Sequence, residues 1–263
     1  MSDYVLYGDH YDFKKAVEYI AEDKNEDLFK KSLNYDSFEA LKHEALNTCS
    51  KINSWDDLIK FIELCRDKSR DCYSPEFSRL CDLYVIINST NKLRGINTGL
   101  DSKNFKSTMS ILDSNRYSDF ITSPASSKYH GAYLGGLFDH SIGVYEAALR
   151  CAEIYGLRKE NIDVIACIFH DLCKVGSYEF VNRVEFKHKN DRKSIAHGSE
   201  SLVRLLKLDI HLPLSWELAI NYHMGAFNDS RDEVNAFSRI TEVHPEVLLL
   251  HHADMIATKI YGV

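Results

Sequence analysis

Apolar residues recur at helical spacing along most of the chain. "WDDLIKFIELC" follows Ser54, which is placed to cap a helix whose first turn carries acidic residues, as the helix dipole favours. Ser74 and Pro75 predict the start of a second helix, "EFSRLCDLYVII". The polar segment 88–104 contains two glycines and predicts a loop or linker, and a short helix is expected near 105–113.

The second half of the chain continues this pattern with one interruption. After the irregular stretch "SDFITSPASSKYHGAYLGG", segment 135–157 starts at a double glycine and is amphipathic, whereas "ENIDVIACIFHDLCK" is apolar on most sides, as a central helix is. "SYEFVNRVEFKH" alternates around Asn182 and Arg183 and predicts one β-hairpin. Three further helices are expected, at about 197–206, 213–224 and 244–260. The pattern predicts a mainly α fold.

Length and composition set the protein class. The 263 residues, 44% hydrophobic and 27% charged, suffice for one domain with a large core, or for one domain with a helical appendage. No run approaches the roughly 20 apolar residues of a membrane helix, and "MSDYVLYGDHYDF" does not resemble a signal peptide. We therefore expect a cytoplasmic protein without membrane contact.

Cysteine spacing and net charge refine this expectation. The seven cysteines form no C-x-x-C pair, which favours small buried side chains in a reducing compartment over disulfides or a zinc site. The formal net charge of -7 does not indicate a protein that binds a polyanion through its overall charge. It favours a small substrate, or a metal that compensates the charge locally, and it also serves solubility.

Candidate metal-ligating side chains concentrate in the second half of the chain. His140 lies on the apolar face of its predicted helix, and His170-Asp171 lies in the apolar "IACIFHDLCK". Adjacent helical residues point about 100° apart, so both reach one ion only if it lies against that side of the helix. Burying a carboxylate beside an imidazole without a partner costs several kcal/mol, and a divalent cation removes that cost because both groups are its ligands. The full set is His140, His170, Asp171, His197, His223 and Asp254.

A single histidine of this set is more often a hydrogen-bonded core residue than a ligand, so only the whole set indicates a metal site. The order His140, His170-Asp171, Asp254 resembles the H…HD…D signature of the HD phosphohydrolase superfamily. "KYHGAYLGGLFDHS", "FHDLCK", "HGSES", "YHMGAF" and "HHADMIA" resemble successive motifs of the subgroup that contains the HD-type 3′-5′ exoribonucleases. The amino-acid sequences of these motifs are most similar to those of uncharacterised HD proteins of Firmicutes and their phages. The resemblance covers about residues 120 to 263.

The resemblance implies an HD-domain helical bundle with one small β-hairpin over residues 116–263. It is preceded by a helical region, 1–115, that serves as a cap, a dimer surface or a partner surface; the oligomeric state stays open. The RNA-binding barrel of the exoribonucleases is not recognisable in that region.

The resemblance also implies the ligands. His140, His170, Asp171 and Asp254 would hold one divalent ion, and His197 and His223 would hold a second ion that Asp171 bridges. The related pattern reads H-H-G where this chain has His223-Met224-Gly225, so one ion, or two of unequal affinity, are both open. Mn, Fe, Ni, Co and Zn suit such ligands, and Mg is possible.

The implied reaction is hydrolysis of a phosphoester or phosphoanhydride of a nucleotide by a metal-activated water. Asp171 would orient the water, and Lys174, one helical turn further on, would contact a phosphate, although a solvated lysine in a last helical turn is equally expected. His251 shares a face with Asp254 and would support it, touch substrate or simply pack. Further candidates for substrate contact are Lys128, Tyr129 and His130 before the double glycine, and Arg192 and Lys193 after the hairpin.

Two other functions are compatible with these motifs. A 3′-5′ exonuclease acting on single-stranded RNA or DNA would need a basic channel formed by Lys128, Lys174, Arg192 and Lys193. A non-catalytic nucleotide-binding HD module would lack ligands, and the complete first-ion set disfavours it.

Overall fold

The computed structural model describes residues 47, 50–68, 86–87, 120–121, 123–133, 135–182, 185–189, 195–227 and 231–263. The predicted helix after Ser74-Pro75, the loop at 88–104, the helix near 105–113 and the division between residues 115 and 116 fall outside these residues, apart from positions 86 and 87.

Seven α-helices and one β-hairpin form the regular structure of the described residues. Strands β1 (Tyr178–Asn182) and β2 (Glu185–His188) pair antiparallel, with an irregularity between Phe180 and Asn182. The mainly α fold with a single small hairpin is therefore confirmed. The helices are α1 (Trp55–Lys68), α2 (Gly136–Cys151), α3 (Val164–Phe169), α4 (His197–Leu206), α5 (Leu214–Tyr222), α6 (Arg231–Thr241) and α7 (Pro245–Ile256).

Helix α1 starts at the predicted cap. The Ser54 hydroxyl accepts a hydrogen bond from the Asp57 amide at 3.1 Å, and the Asp57 carboxylate accepts one from the Ser54 amide at 3.1 Å. This reciprocal pair satisfies two amides that a helix start leaves without partners. The helix then buries Trp55 and Leu58 in the core.

The core lies between α2 and α7, which pack along one another. Helix α7 also packs on α5, α5 on α4, and α2 on α3. All six residues of α3 are buried, which confirms its predicted central position. The described helices include none that is both long and apolar enough to cross a bilayer.

The predicted continuation of the central helix through His170-Asp171 is wrong. Helix α3 ends at Phe169, Asp171 has φ −105° and ψ 22°, and a 3-10 turn follows at Leu172–Lys174. At this turn the Cys173 amide donates a hydrogen bond to the Ser201 hydroxyl at 3.0 Å, which favours the departure from the α-helical path. The two candidate ligands are therefore placed by a turn, not by successive positions of one helix.

Two further helix ends and one whole helix differ from expectation. Helix α2 ends at Cys151 and passes into a 3-10 turn, Ala152–Tyr155, instead of continuing to residue 157. Helix α6 was not predicted, and it has no fully buried residue that would mark its apolar face. Helix α7 ends at Ile256 and continues as a π-helical turn, Ala257–Tyr261.

Candidate metal centre

A close backbone contact sets the start of α2. Gly135 has φ 82°, and a Cβ placed on Gly136 would lie 2.0 Å from the Gly131 carbonyl oxygen. The preceding loop therefore packs directly on the first turn of the helix, which only glycine permits. His140 follows on this turn, fully buried.

Three histidines present the same nitrogen to one buried space. In each, Nδ1 faces a backbone carbonyl, which can only accept, so Nδ1 carries the proton and Nε2 keeps its lone pair. Within the described part of the chain, these buried Nε2 atoms have no hydrogen-bond partner. Unpartnered imidazole nitrogens with carbonyl-fixed tautomers fit a metal ion, whose histidine ligands are held in this way. The pairs are His140 with Val263 (3.1 Å), His170 with Cys167 (2.8 Å) and His223 with Ile220 (2.7 Å).

Asp171 lies at the centre, and its Oδ2 atom faces one half of the cluster. Oδ2 is 3.4 Å from His170 Nε2, 3.6 Å from His140 Nε2 and 2.5 Å from the Lys174 ammonium. The predicted proximity of Lys174 to Asp171 is thus present, as an ion pair across the 3-10 turn. Asp254 completes this half, with Oδ1 3.2 Å from His140 Nε2.

The Oδ1 atom of Asp171 faces the other half. It accepts a hydrogen bond from His197 Nε2 at 2.5 Å and lies 3.5 Å from His223 Nε2. Gly198 makes this approach possible, because a Cβ there would lie 2.3 Å from the Ile220 carbonyl oxygen. The start of α4 therefore lies directly on the end of α5, and the ring centroids of His197 and His223 are 5.4 Å apart.

Within the part of the chain that the structure describes, three groups of ligand atoms are close enough to hold an ion, with all atoms of a group within 4.8 Å of one another. Asp171 belongs to two of the groups and His170 to two, so the groups form one continuous cluster. They are His140 with His170 and Asp254, His170 with Asp171 and His223, and Asp171 with Cys173 and His197.

Their neighbours keep the central acids ionised despite burial. Burial would raise the pKa of Asp171, but the charge of Lys174, with the close contacts of His170 and His197, outweighs burial and holds that pKa well below its usual range. Burial would also raise the pKa of Asp254, but the close contact with His140 outweighs burial and lowers that pKa. For Lys174, burial would lower the pKa, but the Asp171 carboxylate raises it above its usual value. The lysine is therefore a permanent cation at the centre.

The pKa values of the histidines shift in different directions under the same opposing effects of burial and neighbouring charge. Burial lowers the pKa of His170 and of His197 despite the opposing charge of Asp171. For His223, burial is outweighed by the interaction with Asp171, and its pKa is raised. The lowered pKa values keep His170 and His197 neutral, as metal ligation requires, and His197 carries its proton on Nε2, toward Asp171.

The predicted substrate residues are placed differently from one another. His130 lies against the cluster, with its ring centroid 4.9 Å from that of His140, and its buried Nε2 has no hydrogen-bond partner among the described residues. Burial, with the charges of His140 and Lys174, lowers the pKa of His130 to about 3. Lys128 and Tyr129 are exposed on the same loop, Tyr129 at 82%. Arg192 and Lys193 lie outside the described residues.

Two residues at the centre were missed or left open by sequence reasoning. Cys173, expected as an inert buried side chain, places Sγ 3.1 Å from His197 Nδ1, and only the position of α4 reveals that contact. His251 Nδ1 donates to the His223 carbonyl at 2.6 Å, so it supports the backbone of a candidate ligand. The i, i+3 spacing of His251 and Asp254 indicates that they share a face of α7, but it does not predict the contact of His251 with the His223 carbonyl.

The family model of the HD domain matches residues 137–259. The chain is also 29% identical over 145 residues to a curated protein of Methanocaldococcus jannaschii named dihydroneopterin 2′,3′-cyclic phosphate phosphodiesterase. That match covers 53% of this chain and 53% of the relative, so the chain spans about half the length of the curated relative it matches. No solved structure matches it.

The matched segment contains all six histidine and aspartate positions of the cluster. The order of these residues, the helical fold and the carbonyl-fixed imidazoles agree with the family match. Residues 137–259 are thus similar to the HD domain in sequence, in helical fold and in the order of their histidine and aspartate residues.

Proposed function

We propose that this protein is a metal-dependent phosphohydrolase that cleaves a phosphoester bond of a small, nucleotide-like substrate. The observation that carries the proposal is the two-sided position of Asp171. Its two carboxylate oxygens face separate pairs of imidazoles: the buried His140 and His170 on one side, and the partly exposed His197 with the buried His223 on the other. A carboxylate in this position is suited to bridge two ions.

In this proposal, His140, His170, Asp171 and Asp254 hold a first ion, and His197 and His223 hold a second ion that shares Asp171. Such ions, when bound, activate a water as nucleophile and neutralise charge on phosphoryl oxygens. Imidazole with carboxylate suits Mn, Fe, Co, Ni or Zn.

The remaining side chains supply binding and orientation. Lys174 uses one of its three N–H groups on Asp171 and keeps others for a phosphoryl oxygen of the substrate. The buried Nε2 of His130 lies beside His140 and offers a neutral imidazole to the same substrate. Both residues therefore bind and position the phosphate, and Asp171 orients the attacking water.

The choice of a small substrate has two supports. The relative from Methanocaldococcus jannaschii is named for action on a cyclic phosphate of a pterin, a small phosphodiester. The net charge of -7 disfavours a long polyanion. An exonuclease would need a basic channel, and the described residues do not support one. Of its four cations only Lys174 is seen at the cluster: Lys128 is exposed on the loop before α2, and Arg192 and Lys193 lie outside the described residues. We therefore do not propose a nuclease.

To test this proposal, the protein is treated with a chelator and reloaded with Mn²⁺, and its hydrolysis of a panel of candidate substrates is measured. The panel contains 2′,3′-cyclic nucleotides, nucleoside mono- and triphosphates, and a single-stranded oligonucleotide. We expect hydrolysis of a small phosphoester and a loss of at least about 100-fold in kcat/KM for Asp171→Asn, the upper end of what losing even an outer partner of a metal costs.

Asp163→Asn is the matched control. Asp163 is also a buried acid, but it caps α3 by accepting from the Ala166 amide at 2.9 Å, and asparagine caps equally well. This variant should keep wild-type turnover. A wild-type protein that binds members of the panel and hydrolyses none of them would contradict the proposal and favour a non-catalytic binding module.

A further inference from the structure

His140 obtains its hydrogen-bond acceptor in a different way from the other two carbonyl-bound histidines. His170 and His223 donate from Nδ1 to the carbonyl three residues earlier in their own helices. The equivalent carbonyl for His140 is that of Leu137, and it already accepts from the Ser141 hydroxyl at 2.8 Å. His140 Nδ1 instead donates to the Val263 carbonyl, 123 residues away, at 3.1 Å.

The chain after α7 is shaped to bring that carbonyl to His140. The π-helical turn Ala257–Tyr261 is followed by Gly262 at φ 77°, and the Val263 amide donates back to the Ala257 carbonyl at 3.2 Å. A left-handed residue at this point reverses the chain direction at little steric cost only if it is glycine. We name residues 257–263 the C-terminal clasp.

Two contacts hold the clasp on α2. The Val263 side chain fills the space above Gly143, where a Cβ would lie 2.8 Å from Val263 Cγ2. Further along α2, Arg150 donates to the Tyr261 hydroxyl at 2.9 Å, and its guanidinium lies 5.4 Å from the centre of that ring. The clasp therefore spans α2 from Gly143 to Arg150.

The same stretch of chain also orients a second candidate ligand. Thr258, in the clasp, donates from its hydroxyl to Asp254 Oδ1 at 3.3 Å, and that oxygen is 3.2 Å from His140 Nε2. Removing the Val263 carbonyl would leave a buried Nδ1–H without a partner, or would let His140 move its proton to Nε2, where it blocks ligation.

We propose that the C-terminal clasp is a positioning element of the metal centre, in which the Val263 carbonyl fixes the tautomer and orientation of His140 and so sets the affinity for the first ion. The inference rests on the metal centre of the proposed function. It assigns the role to the backbone of Val263, not to its side chain.

The experiment compares three chains: wild type, a chain that ends at Tyr261, and Val263→Ala, which keeps the carbonyl. Mn²⁺ alone is titrated into each chelator-treated protein, and free Mn²⁺ is followed by electron paramagnetic resonance. We expect the shortened chain to lose about 10- to 100-fold in affinity, as metal sites do when an outer partner of a histidine ligand is removed. Val263→Ala keeps the carbonyl and loses only part of the packing on Gly143, so its loss of Mn²⁺ affinity should be much smaller than that of the shortened chain.

A second readout is independent of metal loading and of activity. The imidazole ¹⁵N spectrum of metal-free protein distinguishes the two neutral tautomers of His140. Wild type and Val263→Ala should carry the proton on Nδ1, whereas the shortened chain should show Nε2–H or a mixture. A thermal unfolding transition in each chain checks that it is folded.

The outcomes separate the inference from the proposed function. Equal Mn²⁺ affinity and an unchanged His140 tautomer in the shortened chain overturn the inference alone, as does an equal loss in Val263→Ala, which would assign the effect to side-chain packing. A wild-type protein that binds no Mn²⁺ overturns the inference together with the proposed metal centre.

Discussion

Lys174 illustrates how one side chain at this centre serves two neighbours. Its ammonium lies 2.5 Å from Asp171 Oδ2, and the lysine side chain is 12% exposed. Among the charges around Asp171, that of Lys174 contributes most to lowering the pKa of this carboxyl. The lysine therefore maintains the charged form of the proposed bridging ligand, in addition to any contact with phosphate.

Replacing Lys174 by methionine keeps the length of the side chain and removes the charge. We expect the pKa of Asp171 to rise, so that protons compete with the metal at higher pH than in wild type. The Mn²⁺ affinity measured from about pH 5 to about pH 7.5 should therefore fall earlier on acidification, with its midpoint displaced toward neutral pH.

Lys187→Met is the control for this substitution. Lys187 is also ion-paired, with Glu179 at 3.0 Å, but on the exposed face of the hairpin. Its removal should leave the pH dependence of Mn²⁺ binding as in wild type. Identical profiles for Lys174→Met and wild type would mean that the lysine does not control the ionisation of Asp171.

At the scale of elements, the approach of the loop before α2 to its first turn decides where His140 lies. An alanine at 136 would place its Cβ 2.0 Å from the Gly131 carbonyl oxygen, a distance that forces the loop or the helix start to move. The nearest atoms are all backbone atoms of Gly131, so no flexible side chain can give way. We expect Gly136→Ala to lower the thermal unfolding temperature and to weaken Mn²⁺ binding, because His140 is carried by the displaced turn.

Gly156→Ala provides the comparison. Gly156 has φ +68°, and a Cβ added there would meet no atom of the described residues within 4 Å, so alanine costs only the left-handed strain, about 1–2 kcal/mol. It should destabilise the protein without altering metal affinity. If Gly136→Ala were no more destabilising than Gly156→Ala and bound Mn²⁺ normally, the close contact would not be what places His140.

The elements also show why sequence reasoning succeeded for some features and not for others. Helical periodicity locates α2 and α7, and the turn chemistry of Ser54 locates α1, because these signals are local. The end of α3 at Phe169 is not local: its apolar sequence favours a longer helix, and the Ser201 hydroxyl that accepts the Cys173 amide comes 28 residues later.

The candidate metal centre, too, could be predicted from the sequence only in part. The six histidine and aspartate positions were predicted through motif resemblance, and the structure brings all six together. The partners that fix their orientation were not predicted, because the His140–Val263 and Cys173–His197 contacts depend on how distant segments pack. Sequence motifs identify the candidate ligands, whereas the tertiary fold selects the tautomer of His140.

At the scale of the whole molecule, the candidate metal centre combines side chains from several elements around one hydrophobic core. Its candidate ligands come from α2, α4 and α7, from the ends of α3 and α5, and from the turn after α3. An ion bound only by the folded state would stabilise it by about 2.7 kcal/mol at a concentration of 100 times Kd.

Metal removal should therefore lower the unfolding temperature. We expect chelator-treated protein to unfold at least a few degrees below protein saturated with Mn²⁺, which calorimetry would measure. In Asp171→Asn the difference should shrink, since the shared ligand is weakened, while Asp163→Asn should keep it. An unfolding temperature that does not respond to Mn²⁺ in wild type would contradict metal binding to the folded state.

Acid should destabilise the metal-free protein through its buried imidazoles. The pKa of His130 is about 3 in the folded protein and about 6.5 in an unfolded chain. Between these values the unfolded chain binds a proton that the folded protein does not, so the stability contributed by the neutral imidazole is lost as pH falls below about 6.5. His170 and His197, whose pKa values are also lowered, act with the same sign, and His223, whose pKa is raised, opposes them.

The variant His130→Asn isolates one of these contributions. In chelator-treated protein, its unfolding free energy should fall less steeply than that of wild type from about pH 6.5 to about pH 5, as measured by urea denaturation. Above about pH 7.5, imidazole is neutral in both states, so the two proteins should differ by a constant amount, which serves as the internal control. Parallel curves over the whole range would show that His130 takes up its proton equally in the folded and unfolded chain, and thus that its burial against His140 does not exclude the charge.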